Sequence, residues 1–337
     1  MNSKAEEKER EAEFKRNLQL EGLLSLLNGA LGGAEKKLLE TASSFGPDYP
    51  LIFLMGPLRS GTTLFMQWLA RCGIVAYPTN LLSRFYGAPV TGAHIQLMLT
   101  DPRYNFRNEI LDFNSQISFE SENGKTIGAL APNEFWYFWR RFLPFKELDW
   151  LPDEELFRVV DQARLVSELT TLTRVFKKPF ALKSMILNYN IPFLNTIFSK
   201  ALFVQIKRDP VTNVASILEA RKRQLGSENE WYSFKIPEYL QLKDLDPINQ
   251  SVGQLLSINK ALKKGMESVD ESRKMVVQYE EFCQNPRQVF DELVTKIDLF
   301  NLNYRYCGPD FFRISRNPDE KDKSEIGKAI TRYYDEG

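Results

Sequence analysis

Short apolar runs alternate with longer segments of helical periodicity along most of the chain. The apolar runs cover residues 51–55, 180–183, 201–206 and 274–279, and each is short enough to form one buried strand. Segments with a helical pattern lie at residues 64–70, 153–176, 190–199, 210 to about 224, 250–268 and 286–297. Strands that alternate with helices predict an α/β fold in three layers, with a central parallel sheet flanked by helices.

The pattern divides the chain into a helical arm and one large domain. Residues 1–44 begin with a charged stretch and continue with a leucine-rich face, which Gly29, Gly32 and Gly33 interrupt. This arm could pack on the body, join the partner subunit of a homodimer, or remain a solvated helix. We expect residues 45–337 to form a single α/β domain, with insertions at about 77–150 and 225–247, where prolines and aromatic residues disturb the regular pattern.

Composition excludes several classes of function. Lys and Arg number 44 and Asp and Glu also number 44, so the net charge is zero and no overall field favours nucleic acid or an anionic membrane. The single histidine excludes a multi-histidine metal site, and three widely spaced cysteines favour neither disulfides nor a zinc site. Because no apolar stretch approaches the ~18–20 residues of a membrane span, and the first residues carry no signal core, we expect a cytoplasmic protein.

The glycine turn at residues 56–63 is the most informative motif. It follows the first strand and opens a helix, which is the arrangement that directs backbone N–H groups at an anion. Its two glycines and Thr63 fit the nucleotide-binding pattern G-x-x-x-x-G-K-[ST], but Thr62 occupies the lysine position and the positive charge lies at Arg59. We therefore predict a short, doubly charged group on a nucleoside rather than a triphosphate. The alternative is a glycine turn in an unrelated α/β protein.

A second junction of strand and helix carries positive charge. Lys207 and Arg208 end the third predicted strand, Asp209 can cap the next helix, and Pro210 suits its first position. Because ligands bind at the carboxyl ends of strands in such sheets, both basic junctions predict one local anion site. The alternative for Arg208 is an ion pair with the adjacent cap.

Four stretches resemble the sulfotransferases that use 3′-phosphoadenosine 5′-phosphosulfate (PAPS). They are residues 57–64, 180–184, 204–216 and 277–286, in the order of that family, and they span about residues 50–297. The loop sequence RSGTT resembles the bacterial and Golgi-type branch, which has an arginine there, more than the cytosolic branch, which has a lysine. The resemblance implies a P-loop-like fold and transfer of a sulfuryl group to a hydroxyl, less commonly an amine, without a metal.

The resemblance also implies roles for individual residues. The loop residues expected to hold the 5′-phosphosulfate are Arg59, Ser60, Gly61, Thr62 and Thr63. Arg208 and Ser216 would hold the 3′-phosphate, and Arg59 would stabilise the leaving oxygen. Lys183 could be a further donor, or a lysine at a strand end without a catalytic part.

The acceptor hydroxyl needs a base, and this chain has neither the glutamate nor the histidine that relatives carry at the usual positions. The best candidate is Glu134, because burial among neighbouring aromatics would raise its pKa; otherwise it is a surface residue. His94 is the second candidate, and Glu120 and Glu122 are weaker ones. The aromatics of 135–139 and 231–239 could wall an acceptor cleft or belong to the core, and the family's range favours a carbohydrate acceptor.

Two other functions remain open. A nucleotide-dependent kinase would need the missing lysine and an acidic residue for magnesium, which Glu280 or Glu281 could imitate. A non-catalytic nucleotide-binding protein would keep the fold and lack the base.

Overall fold

The computed structural model describes residues 17–46, 48–105, 121–122, 125–297, 304–314 and 318–336. Its strands are β1 Leu51–Met55, β2 Ser121–Glu122, β3 Lys125–Thr126, β4 Phe180–Lys183, β5 Leu202–Lys207 and β6 Lys274–Gln278. Four of them form a parallel sheet in the order β4-β1-β5-β6, and β2 pairs with β3 in an antiparallel hairpin. The α/β prediction is confirmed.

β1 is a central strand of the sheet. Leu51 lies opposite Phe180 of β4, and Ile52 lies opposite Leu202 of β5. Every residue of β1 is buried, and successive side chains enter two separate apolar cores. Because side chains alternate across a sheet, this pattern shows that both faces of β1 are covered, as a buried parallel sheet requires.

Helices cover the sheet on both sides. The helices are α1 Leu18–Glu40, α2 Thr62–Cys72, α3 Pro89–Thr100, α4 Trp136–Phe142, α5 Asp153–Val159, α6 Gln162–Phe176, α7 Ile191–Ile197, α8 Pro210–Leu225, α9 Tyr239–Leu242, α10 Pro247–Glu267, α11 Tyr279–Gln284, α12 Pro286–Ile297 and α13 Glu320–Glu336. Within the described ranges, no helix is long and apolar enough to cross a membrane.

One predicted helix is wrong in its extent. The segment 153–176 forms two helices, because the chain turns out of the helix at Val160 and Asp161. The Asp161 carboxylate then accepts the Arg164 N–H at 3.0 Å and caps α6. The cap predicted at Asp209 is confirmed, since its carboxylate accepts the Thr212 N–H at 2.8 Å and Pro210 begins α8.

The arm contacts the body through buried polar groups. α1 runs through its glycines without a break. Glu35 is 1% exposed and accepts the N–H groups of Val90 and Thr91 at 2.9 and 2.8 Å, at the first turn of α3. A carboxylate is stabilised at a helix N-terminus by the orphan N–H groups and the helix dipole. Arm residues 1–16 lie outside the described residues, and a homodimer stays a prediction.

Candidate active site

The loop between β1 and α2 has a strained backbone. Gly56, Arg59 and Gly61 have φ of +158°, +62° and +97°, so three of its residues have positive φ. The Gly61 conformation suits glycine, which has no Cβ penalty there. Arg59 has a Cβ, so its left-handed backbone is strained. Such an outlier in a ligand-binding loop indicates that the surrounding structure enforces this conformation.

Two residues from other elements hold this loop in place. The Asn188 side chain donates to the Gly56 carbonyl at 2.8 Å and accepts the Gly56 N–H at 3.1 Å. The ring of Tyr279 lies so close to Gly61 that a Cβ built there would be 2.2 Å from it. The loop therefore has no room for a side chain at position 61.

The hydroxyl groups of the loop have three different surroundings. Ser60 is fully buried, its Oγ has no partner among the described atoms, and it faces Gly56 rather than the open cavity. Thr62 donates to the Met185 sulfur at 3.3 Å. Thr63 accepts a hydrogen bond from Lys183 Nζ at 2.9 Å. Both threonines line a cavity, so they are the loop hydroxyls placed to reach a ligand.

The two basic junctions predicted from the sequence meet. Arg208 Nη1 donates to the Arg59 carbonyl at 2.9 Å, and its guanidinium lies 4.8 Å above the Tyr279 ring. Arg59 Nε donates to Ser216 Oγ at 3.2 Å. Arg59, Arg208 and Ser216 therefore form one cluster. Burial lowers the pKa of Arg208 and the neighbouring Arg59 charge lowers it further, although Tyr279 and Glu280 oppose these effects. An anion would relieve this repulsion.

Lys183 and Glu134 form an ion pair beside the loop. Lys183 Nζ lies 2.5 Å from Glu134 Oε1, and the other carboxylate oxygen accepts the Trp136 indole N–H at 2.5 Å. The Lys183 side chain is only 5% exposed, whereas that of Glu134 is 33% exposed. Lys183 thus joins the loop threonine Thr63 to the candidate base.

The net shift of the Glu134 pKa is opposite to the expected direction. Burial does raise the pKa of this carboxyl, but the charge and hydrogen bond of Lys183, and the Trp136 indole, together hold it below its ordinary value. Glu134 is therefore ionised at neutral pH. A carboxylate that is paired in this way can accept a proton, but it is a weak base until Lys183 turns elsewhere.

His94 lies apart from this cluster. Its Nδ1 is 2.9 Å from the Val90 carbonyl of the same helix, α3, and its ring packs on Phe45 with centroids 5.2 Å apart. It does not line the cavity described below. The structure brings together the other predicted residues but not His94. Glu120 lies outside the described residues, as does the side chain of Glu122.

A cavity of about 220 Å³ lies at the carboxyl end of the sheet. The loop side is lined by polar and charged groups, namely Arg59, Gly61, Thr62, Thr63, Lys183, Arg208 and Tyr279. The other side carries four aromatic residues, which we call the aromatic wall: Trp136, Trp139, Tyr232 and Phe234. Glu134 contacts both sides, since it bonds Lys183 and Trp136. The cavity therefore has an anion side and an apolar side with a carboxylate between them.

Sequence reasoning missed two supporting residues. Asn188 lies five positions after the end of β4 and belongs to none of the motifs that the sequence analysis used. Tyr279 belongs to a stretch that carried the resemblance, but it had no assigned role. Its contacts with Gly61 and Arg208 join segments more than 60 positions apart, and no local pattern predicts such contacts.

Comparison with known proteins identifies the family of the chain. A family model described as the sulfotransferase family matches residues 50–300. Sulfotransferase STF1 of Mycobacterium tuberculosis H37Rv has a TM-score of 0.50 at 13% identity, over 90% of this chain and 81% of that chain. At this identity the likeness shows the fold alone.

Two further solved structures are more distant in shape. Sulfotransferase STF9 of Mycobacterium avium has a TM-score of 0.45 at 16% identity, over 86% of this chain and 69% of that chain. A sulfotransferase of Alicyclobacillus acidocaldarius has a TM-score of 0.45 at 14% identity, over 84% of this chain and 92% of that chain. A search of the curated proteins found no significant match.

Proposed function

We propose, since the chain belongs to the sulfotransferase family, that it transfers the sulfuryl group of PAPS to a hydroxyl group of an acceptor. The observation that carries the donor assignment is the cluster of Arg59, Arg208 and Ser216 beside the glycine loop. The loop alone would suit many phosphates. Arg208 and Ser216 would add a second anion site directly beside it, and two adjacent anion sites suit a nucleotide with anionic groups at both its 5′ and 3′ positions.

The residues present fit that donor. Gly61 lines the cavity and precedes the first turn of α2, whose free N–H groups suit an anion. Arg208 has a buried Nε without a partner among the described atoms, and two arginines lie beside each other. Arg208 and Ser216 would hold the 3′-phosphate, and the N-terminus of α2 with Thr62 and Thr63 would hold the phosphosulfate.

When bound, PAPS would supply the sulfuryl group: the acceptor oxygen bonds to sulfur as the bond from sulfur to the 5′-phosphate oxygen breaks and its electron pair leaves with that oxygen. Arg59 and Lys183 would stabilise the charge that develops there, since both line the cavity beside the loop threonines. Preorganised donors of this type contribute most of the electrostatic stabilisation in such transfers.

Glu134 would accept the proton of the acceptor hydroxyl. In the ligand-free structure its carboxylate is bonded to Lys183, which also bonds Thr63 at the loop. An anion at the loop competes with Glu134 for this ammonium group. Donor binding would therefore release the carboxylate and raise its pKa, so that the base gains strength only when the sulfuryl group is present.

Calorimetric titration tests the donor assignment. In EDTA, we expect 3′-phosphoadenosine 5′-phosphate (PAP) to bind, because neither basic junction needs a metal to hold an anion. Mg-ATP in a parallel titration should bind much more weakly, since Thr62 occupies the place of the lysine that reaches the β- and γ-phosphates. Binding of Mg-ATP alone would sink the proposal and favour a kinase.

A further inference from the structure

We propose that the acceptor is a flat aromatic alcohol with a single hydroxyl, bound against the aromatic wall, rather than a carbohydrate. The inference rests on the proposed function for its chemistry, but its binding surface can be tested by itself. It also departs from the carbohydrate expected from the family.

The aromatic wall is built from two segments that pack on each other. Trp136 and Trp139 come from α4, and Tyr232 and Phe234 come from the chain between α8 and α9. The Trp136 and Phe234 rings have centroids 5.3 Å apart. Leu58, Met185 and Ile186 add apolar surface to the same cavity. A planar apolar body fits such walls, because aromatic rings prefer offset-stacked or edge-to-face contacts.

The polar groups of this side are mostly engaged. The Trp136 indole N–H donates to Glu134, and the Tyr232 hydroxyl accepts from the Gln224 side chain at 3.1 Å. Trp139 is 1% exposed, and its indole nitrogen has no partner among the described atoms. Among the described residues that line this side of the cavity, Ser233 is the one further polar side chain.

The small number of polar groups without a partner on this side distinguishes a carbohydrate acceptor from an aromatic one. A sugar brings several hydroxyls, and most of them would lose water here without gaining a partner. Unsatisfied buried polar groups are costly, and sites reject ligands that leave them unpaired. An aromatic alcohol brings one hydroxyl, which can donate its proton to Glu134, and the remainder of the molecule contacts apolar side chains.

The wall is held in a strained shape. Gln254, which is fully buried, donates its side-chain amide to the Tyr232 carbonyl at 2.9 Å and to the Phe234 carbonyl at 3.1 Å. The residue between them, Ser233, has φ +69°. The Trp231 indole N–H also donates to the Phe234 carbonyl at 3.0 Å. A non-glycine residue in the left-handed region at a cavity wall indicates a conformation maintained for binding.

Binding measurements on the PAP-saturated protein test the inference directly. We expect 2-naphthol to quench tryptophan fluorescence in a saturable manner, and methyl β-glucopyranoside to show no saturable binding. Phe234→Ala should weaken 2-naphthol binding by roughly tenfold or more, because it removes one ring of the pocket. Its affinity for PAP should stay unchanged. The matched variant Phe311→Ala, at an exposed position that does not line the cavity, should leave both affinities unchanged.

The possible results separate this inference from the proposed function. Tighter binding of the glucoside, or 2-naphthol binding that Phe234→Ala does not alter, would overturn the aromatic acceptor. If PAP does not bind, the donor assignment fails, and the same comparison of wild type with Phe234→Ala is made on the nucleotide-free protein. Ser233→Gly is the second variant: it retains the left-handed backbone, so it should fold and keep 2-naphthol binding.

Discussion

Ser216 offers the sharpest test of the 3′-phosphate site. In the structure its hydroxyl accepts the Arg59 Nε–H at 3.2 Å, and Arg208 donates to the Arg59 carbonyl at 2.9 Å. Ser216→Ala removes one oxygen and leaves α8 otherwise intact, since alanine is a strong helix former. The matched change is Ser251→Ala in α10, whose hydroxyl donates within its own helix, to the Pro247 carbonyl.

The size of the effect follows from the charge of the ligand. A hydrogen bond to a charged group contributes about 1.5–3 kcal/mol. Since 1.4 kcal/mol is a factor of about ten, Ser216→Ala should weaken PAP binding about 10- to 150-fold. Adenosine 5′-monophosphate lacks the 3′-phosphate, so its affinity should change little. Ser251→Ala should change neither ligand's affinity.

Arg208→Met extends this comparison. It removes a donor to the 3′-phosphate, but it also removes the bond to the Arg59 carbonyl, which supports the loop. We therefore expect a large loss for PAP and a loss of about fivefold for adenosine 5′-monophosphate, the value of one ordinary hydrogen bond of about 1 kcal/mol. Calorimetric titration of each variant with both nucleotides measures these changes in affinity. Equal losses for the two nucleotides in Ser216→Ala would refute the 3′-phosphate assignment.

Three further predictions concern the base and the loop. Glu134→Gln should lower kcat by about 10²–10⁴-fold with PAP affinity retained, and unchanged turnover would reject this base. Burial raises the pKa of Glu134, but Lys183 holds it below its ordinary value in the free protein, so kcat/KM for PAPS should stay level from about pH 8 to about pH 5.5, whereas a histidine base would lose activity below about pH 6.5. If the bound donor draws the Lys183 ammonium group away from Glu134, kcat should begin to fall at a higher pH than kcat/KM as the solution is acidified. A fall of both at the same pH would contradict that release. Gly61→Ala should reduce PAP affinity at least tenfold by calorimetry, an estimate of about 1.4 kcal/mol or more for moving the Tyr279 ring. Gly73→Ala is its control, since φ is +71° there but no atom lies within 4 Å of the added Cβ; equal losses would reject the steric cause.

Local patterns predicted the elements that end at the site. The four strands, the capped start of α8 and the glycine loop each depend on neighbouring residues, and apolar runs, cap residues and glycine spacing indicate such features. The break at Val160 and Asp161 was missed because both flanking segments keep helical periodicity. The hydrophobic periodicity does not mark this turn. The one local signal for it is Asp161, which can cap a new helix.

The chemistry of the site depends on contacts that sequence order hides. Lys183 lies 49 positions from Glu134, and its charge reverses the pKa shift that burial alone would cause. Arg59 lies 157 positions from Ser216, and their hydrogen bond joins two motifs that the sequence could only place at the same edge. Motifs predicted that Arg59, Arg208 and Ser216 would share one site, whereas only the structure shows the pairing of Lys183 with Glu134.

Transfer of labelled sulfur tests the central claim most directly. The protein is incubated in EDTA with sulfur-labelled PAPS and a panel of hydroxyl acceptors, including 2-naphthol and a glucoside, and both the acceptor and PAP are quantified. We expect labelled acceptor and PAP in equal amounts with wild type, and neither above background with Arg208→Met at PAPS concentrations near the wild-type KM. Absence of label on every acceptor, together with phosphoryl transfer from Mg-ATP to the same panel, would contradict sulfuryl transfer as the function of this site.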